Sequence, residues 1–295
     1  MPAESSEPTI HRRRLRSDLR KAREAARKTQ RDVAAAMDWS LSKLIRIETG
    51  QVGITTNDLK ALLQHYGITD PAQVTRYVEL AKRARERSWW SAYKDVASAQ
   101  LLAFLSYEAS ASVVRSFQPQ LVPGLLQTSE YAENVVSVTT APDARRVDDL
   151  VELRKRRQEI LEGDGELPRF HFIIDEAVIH RVVGGPAVMR RQLNHLLYAA
   201  ELDKVTLRIV PFEVGMYPAS GVAYTLFEFS EPENDPDMLY IEDPLGELVV
   251  QEDSPADQGK PTPAQFLTIF FELEQVARKE ATSDLLEKAI AKISD

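Results

Sequence analysis

The sequence contains no cysteine in 295 residues, which excludes disulfides, thiolate metal sites and cysteine nucleophiles. Glycine is scarce at 12 residues, too few for a collagen-like repeat. The histidines are His11, His65, His171, His180 and His195. They show no paired metal-ligand spacing, so no metal is expected. No apolar run approaches the length of about 18 residues that a membrane-spanning helix needs. The opening stretch MPAESSEPTIHRRRLRS is polar and then basic with no apolar segment behind it, unlike a secretory signal. Gly184-Gly185-Pro186 lies in no GxGxxG or Walker pattern and reads as a loop with proline at the first helical position. No cofactor and no membrane are expected, and a cytoplasmic location is the simplest expectation.

What remains is an ordinary globular composition, 43% hydrophobic and 28% charged, apolar enough to bury a sizeable core. The net charge of −8 hides a division. Residues 1–87 carry 18 Lys and Arg against 11 Asp and Glu, a net +7. The remaining residues carry 19 against 34, a net −15. From His11 to Arg31 there are ten basic and two acidic side chains. Such asymmetry is read either as a basic head that meets a polyanion or as a solvated helix face.

The pattern divides the chain in the same way. Residues 1–11 read as a flexible arm. Leu15, Leu19, Ala22 and Ala26 form one apolar stripe of a charged helix. Thr29 caps a second helix with Val33, Ala34 and Met37 inward. Ser40 caps a third, with Leu44 and Ile47 inward and Gly50 just beyond it. A fourth runs from Asn57 to Tyr66, and Asp70-Pro71 opens a fifth that runs towards Trp89. Residues 88–115 keep a helical pattern, followed by a proline-punctuated connection and helices near 128–138 and 143–162. Phe170–Ile174 and Val205–Val210 read as strands flanking a helix over 186–201. Tyr224–Phe229, Met238–Glu242 and Glu247–Val250 read as a meander, and two helices finish the chain. The fold class expected is therefore α+β: an all-α five-helix domain over 12–87, then a larger mixed α/β domain over 88–295.

Residues 29–50, TQRDVAAAMDWSLSKLIRIETG, have the pattern of two helices joined by a tight turn. Ala34 falls where the helices cross, and only a small side chain allows close approach there. The outer face of the second helix carries Leu41, Ser42, Lys43 and Arg46, which can enter a major groove together. Arg46 can give two hydrogen bonds to a guanine edge, Ser42 can contact any base, and Leu41 can touch a thymine methyl. Thr29, Gln30 and Ser40 stand at helix starts that favour phosphate. Arg12, Arg13 and Arg14, in or beside the arm, are expected on phosphates or in a minor groove.

These residues resemble the helix-turn-helix domain of the phage-repressor (Cro/C1, or XRE) family over residues 12–67. The resemblance rests on Leu15, Leu19 and Arg23, then Thr29-Gln30 with Val33-Ala34. It continues through Ser40-Leu41-Ser42-Lys43-Leu44-Ile45-Arg46-Ile47-Glu48-Thr49-Gly50, and through Leu59, Leu62, Leu63, Tyr66 and Gly67. It implies a pair between Glu48 and Arg23 that ties the recognition helix to the first helix. Asp38 stands where the family usually has glycine in the turn, and aspartate tolerates left-handed geometry better than most residues.

The rest of the chain is similar to the uncharacterised C-terminal domain of a large group of actinobacterial regulators. The similarity is carried by Trp89-Trp90 with Tyr93, Leu105-Ser-Tyr-Glu-Ala109, Phe117 to Tyr131, Asp175-Glu176-Ala177, Val183 to Leu193 and Ile209-Val-Pro211. It implies a small partner protein encoded nearby, and links to differentiation, antibiotic production and toxin–antitoxin-like pairs. It supplies no settled ligand or chemistry.

Other constellations read as structural. Asp175-Glu176 and Glu242-Asp243 end strands and suit helix capping and turns, with no catalytic residue assigned. His171 reads as a satisfied core residue. Arg154-Lys155-Arg156-Arg157 reads as a solvated face. Trp89, Trp90 and Tyr93 suit a ligand pocket or an inter-domain core. The expectation is a non-enzymatic, dimeric regulator of double-stranded DNA with a near-palindromic operator. Its body would receive a signal from a small partner protein or a small molecule. The alternative is a toxin–antitoxin-type component or an effector enzyme whose helix-turn-helix serves autoregulation.

Overall fold

A computed structural model describes residues 8–139, 144–162, 168–230, 236–242, 248–251 and 261–293. The chain divides into two compact units, Met1–Ser91 and Ala92–Asp295.

The first unit is built from α1 (Pro8–Ala25), α2 (Gln30–Ala36), α3 (Leu41–Glu48), α4 (Thr56–His65) and α5 (Pro71–Arg83). Each of the last four starts at a side-chain cap: Thr29, Ser40, Thr55 and Asp70 accept from the backbone N–H three residues on. Satisfying one orphan N–H this way stabilises a helix start by about 1 kcal/mol. Gly50 and Gly67 take positive φ values of 77° and 81° just past α3 and α4, where a side chain would be strained. Leu19, Val33, Leu44, Leu59, Leu62 and Leu63 form the core.

Two expectations about this unit need correction. The arm expected over residues 1–11 is helical from Pro8 onward, and residues 1–7 lie outside the described residues. Proline suits a first helical turn, where its missing N–H costs nothing. His11 is buried, and the Arg12 guanidinium donates to the Ala84 and Glu86 carbonyls at 2.6 and 2.9 Å. These bonds stitch the start of α1 to the carbonyls left open at the end of α5. The fifth helix, expected to run towards Trp89, stops at Arg83, and a short 3-10 turn occupies Trp89–Tyr93.

The second unit is a six-stranded mixed sheet in the order β3-β2-β1-β4-β5-β6. The strands are β1 (Val113–Gln118), β2 (Arg169–Asp175), β3 (Val205–Val210), β4 (Tyr224–Glu228), β5 (Met238–Ile241) and β6 (Leu248–Gln251). β1, β2 and β3 run parallel, while β4, β5 and β6 form an antiparallel meander that joins β1 through β4. The helices are α6 (Ala99–Ser110), α7 (Ser129–Thr139), α8 (Ala144–Glu162), α9 (Glu176–His180), α10 (Pro186–Ala200), α11 (Pro263–Val276) and α12 (Lys279–Lys292).

One face of the sheet, with Phe170, Phe172, Ile174, Leu207 and Phe227, shares a core with Phe104 of α6, Leu193 of α10 and Leu286 of α12. The other face, with Phe117, Ile173, Leu226 and Leu239, packs on Phe270 and Leu273 of α11. Parallel neighbours need crossover connections, which the helices between β1, β2 and β3 supply.

The helical reading of residues 88–115 is overturned at its end, because Val113–Gln118 is the strand that joins the parallel half to the antiparallel half. Its β-branched Val113-Val114 start favours extended backbone, and partners on both sides outweigh the helical periodicity that precedes it. Among the described residues, no helix is long and apolar enough to cross a membrane.

Candidate nucleic-acid interface

The interface is built on α2, a turn and α3. Thr29 and Asp32 form a capping box at the start of α2, the hydroxyl accepting from Asp32 N and the carboxylate from Thr29 N. This holds the Asp32 carboxyl below its ordinary range through the Thr29 hydrogen bonds. Asp38 turns the chain at φ 54°, the left-handed geometry that a short polar residue can adopt. Ala34 of α2 is buried at 4% exposure. Ser40 Oγ accepts from Lys43 N at 3.1 Å and starts α3.

Leu44 and Ile47 anchor α3 in the core at 0% and 5% exposure. The opposite face is thereby turned outward, and Leu41, Ser42, Ile45 and Arg46 are exposed on it. Arg46 Nε donates to the Ser42 carbonyl one turn back at 3.4 Å, which lays the guanidinium along this face.

A buried ionic network fixes the far end of α3. Arg23 Nε and Nη2 donate to the two oxygens of Glu48 at 2.7 and 3.1 Å, and Gln30 Nε2 donates to Glu48 Oε2 at 2.7 Å. Arg23 Nη1 also donates to the Lys28 carbonyl at 3.0 Å. One carboxylate thus joins α1, the start of α2 and α3. Burial pulls the Arg23 pKa down, but the Glu48 hydrogen bond and charge outweigh it and the net shift is upward. Burial, aided by the Glu48 charge, pushes the Tyr66 hydroxyl well above its ordinary range.

Several of the other expected DNA contacts also have partners within this unit. Lys43 is half-exposed at the edge of the outer face. Its ammonium is held 3.1 Å from Asp58 and 4.0 Å from the Trp39 ring centroid, because an anchored carboxylate and an aromatic face together attract it. Gln30 is turned towards Glu48, and the Thr29 and Ser40 side chains serve as caps. Arg12 is engaged by α5, Arg13 is half-buried and Arg14 is exposed on α1. Ile45 went unnoticed in the sequence. The inward pair Leu44 and Ile47 fixes the helical phase that exposes it, so the signal was present.

In the second unit several sequence readings change. Arg157 makes a bidentate pair with buried Glu108, both bonds 2.6 Å, and lies over the Phe104 ring. Arg154 donates to Gln127, and burial lowers its pKa to about 10. These two arginines of the 154–157 run are structural, while Lys155 and Arg156 are exposed.

His171 is half-buried rather than in the core, and it is paired with Glu274. Its Nδ1 stands 3.4 Å from Glu274 Oε1, which also faces Arg208 at 3.8 Å and Arg115 at 4.0 Å. His171 holds the Glu274 carboxyl below its ordinary range, Arg208 and Arg115 add to this, and burial opposes it.

Asp175 caps α9 through Ala177 N and accepts from the Tyr217 hydroxyl, while Glu176 accepts from Phe212 N at 2.7 Å. Pro186 starts α10 after Gly184 and Gly185. Trp89 and Trp90 meet edge to face at 5.6 Å, and the division between the units falls at Ser91, before Tyr93.

Two family comparisons match the chain. Residues 14–76 match a helix-turn-helix domain, and residues 101–262 match a domain of unknown function (DUF5753). No curated protein and no solved structure matches.

Proposed function

The chain belongs to the DUF5753 family and carries a helix-turn-helix domain before that region, and from this premise we propose a sequence-specific transcriptional regulator of the XRE (Cro/C1) type. The carrying observation is the outward face of α3. Leu41, Ser42 and Arg46 stand exposed on a helix that Leu44, Ile47 and the Arg23–Glu48–Gln30 network hold rigidly. A rigid support is what a base-reading helix requires. Arg46 reads a base edge, Ser42 supports it, and Arg14 with the backbone N–H groups at the starts of α2 and α3 meets phosphates. Lys43 positions the helix through Asp58 and Trp39.

The regulator acts in the cytoplasm as a homodimer on a near-palindromic operator. One recognition helix reads only a few base pairs, so useful affinity needs two half-sites about 34 Å apart. Residues 88–295 supply the dimer surface and receive the signal. Their net charge of −15 makes them a poor DNA surface and a natural dock for a basic partner. The signal comes from a small protein encoded nearby, as in the actinobacterial regulators the body resembles, or from a small molecule. This body is non-catalytic. The Asp175 carboxylate is committed to capping α9, and Glu176 accepts from the Phe212 backbone.

Selection of bound duplexes from a random pool by the full-length chain tests the proposal. A two-fold symmetric motif with half-sites one helical turn apart is expected. Enrichment of an asymmetric single half-site would remove the dimer, and no enrichment would remove the regulator.

A further inference from the structure

An exposed apolar pair on a DNA-reading helix asks what covers it. Among the described residues of Met1–Ser91, Leu41 and Ile45 are the large apolar side chains that stand exposed, at 37% and 38%. They lie four residues apart on one face of α3, beside Ser42 and Arg46. Leu15, Leu19, Val33, Leu44, Ile47 and Ile54 are among the apolar groups that this unit buries in its core. Water around both side chains is an avoidable cost, and removing it is worth free energy in proportion to the area covered.

The surroundings select the occupant. Residues 1–87 carry a net +7, which repels a basic protein surface and attracts a duplex. The apolar groups that a duplex offers in its major groove are the 5-methyls of thymine. Residues four apart on a helix are separated by about 6 Å along its axis, and base steps are about 3.4 Å. The two side chains therefore match methyls one to two base steps apart.

We infer that Leu41 and Ile45 form a methyl-reading pair that makes each half-site specific for two thymines one to two base steps apart. This inference rests on the DNA-binding reading of α3 and adds the chemistry that it recognises. Arg46 reads a hydrogen-bonding edge beside the pair, so the half-site combines one polar and two apolar determinants.

Deoxyuridine in place of thymidine tests it, because that exchange removes only the methyl and keeps the pairing and the O4 acceptor. Duplexes enriched by the full-length chain are remade with uracil at single thymines, and binding is measured by fluorescence anisotropy. Each of two positions per half-site is expected to lose about fourfold on demethylation, the worth of one buried methyl. Ile45→Ala should bind thymine and uracil alike at one position, and Leu41→Ala at the other. Both residues are exposed, and intact variants are confirmed by an unchanged urea transition.

Equal binding of thymine and uracil duplexes by the unsubstituted chain overturns the inference while the DNA-binding reading stands. Variants that change the oligomeric state instead of the thymine preference also overturn it, since the pair would then be a protein contact. No enriched DNA at all overturns the DNA-binding reading, and the inference with it.

Discussion

A single carboxylate, Glu48, accepts from Arg23 twice and from Gln30 once while only 4% of its side chain is exposed. Breaking such a pair by removing one partner leaves a buried charge and costs about 3–5 kcal/mol, whereas replacing both partners with apolar groups is often neutral. Arg23→Met should lower the urea midpoint of the first unit sharply, and the double variant Arg23→Met/Glu48→Leu should recover most of the loss. Trp39, Trp89 and Trp90 all lie in Met1–Ser91, so tryptophan fluorescence reports this unit alone. An Arg23→Met transition at the original midpoint would show that the network contributes nothing.

Glu274 invites a pH experiment. Its depressed pKa means that the folded state binds the proton less readily than the unfolded chain. The resulting stability is present above the unfolded value of about 4.3 and is lost as pH falls through the folded value. Calorimetry of the full chain and of Glu274→Gln should show a gap in the second unit's transition at neutral pH that closes below about pH 4. A gap that persists unchanged into acid would contradict the role given to His171, Arg208 and Arg115.

At the scale of elements, we read the buried Ala34 of α2 as the small residue that lets α2 cross α3 closely. Ala34→Leu would overpack that crossing at a cost of about 1–3 kcal/mol and displace α3 from its supports. DNA binding should fall while the second unit's heat transition stays where it was, and unaltered binding would show that the crossing tolerates bulk. The capped helices of this unit were legible because Thr29, Ser40 and Asp70 are local signals, and a local hydrogen bond is written in local sequence.

β1 was not legible, since its extended form depends on β2 and β4, which lie more than fifty and one hundred residues away along the chain. The same cause explains Arg154 and Arg157. A basic run looks solvated until Glu108 and Gln127 arrive from elsewhere. Within the candidate site, the outward phase of Leu41, Ser42 and Arg46 followed from the inward phase of Leu44 and Ile47. The capture of Lys43 by Asp58 and Trp39 depended on distances that no spacing rule supplies.

Across the whole molecule, charge and fold divide together. A small helical unit carries the basic charge and an acidic α/β unit carries the family's domain of unknown function. This division suits a reader of DNA attached to a receiver that does not touch it, because only the basic unit gains from counterion release on a duplex. Reading and sticking can then be separated at Arg46. Losing a bidentate base contact costs about 1–3 kcal/mol at one position of the site, whereas losing a phosphate contact weakens all sequences alike and lowers the salt slope by about one.

The most direct measurement is the binding of the full-length chain and of Arg46→Ala to a selected operator and to its scrambled duplex across a salt series. The unsubstituted chain should bind the operator at least a thousandfold more tightly than the scrambled duplex at physiological salt, within the range of about 10³–10⁷ for specific readers. Arg46→Ala should lose roughly ten- to hundredfold on the operator and keep its scrambled-duplex affinity and salt slope. Equal affinity of the unsubstituted chain for the two duplexes, or equal losses on both for Arg46→Ala, would contradict α3 as the helix that reads the operator.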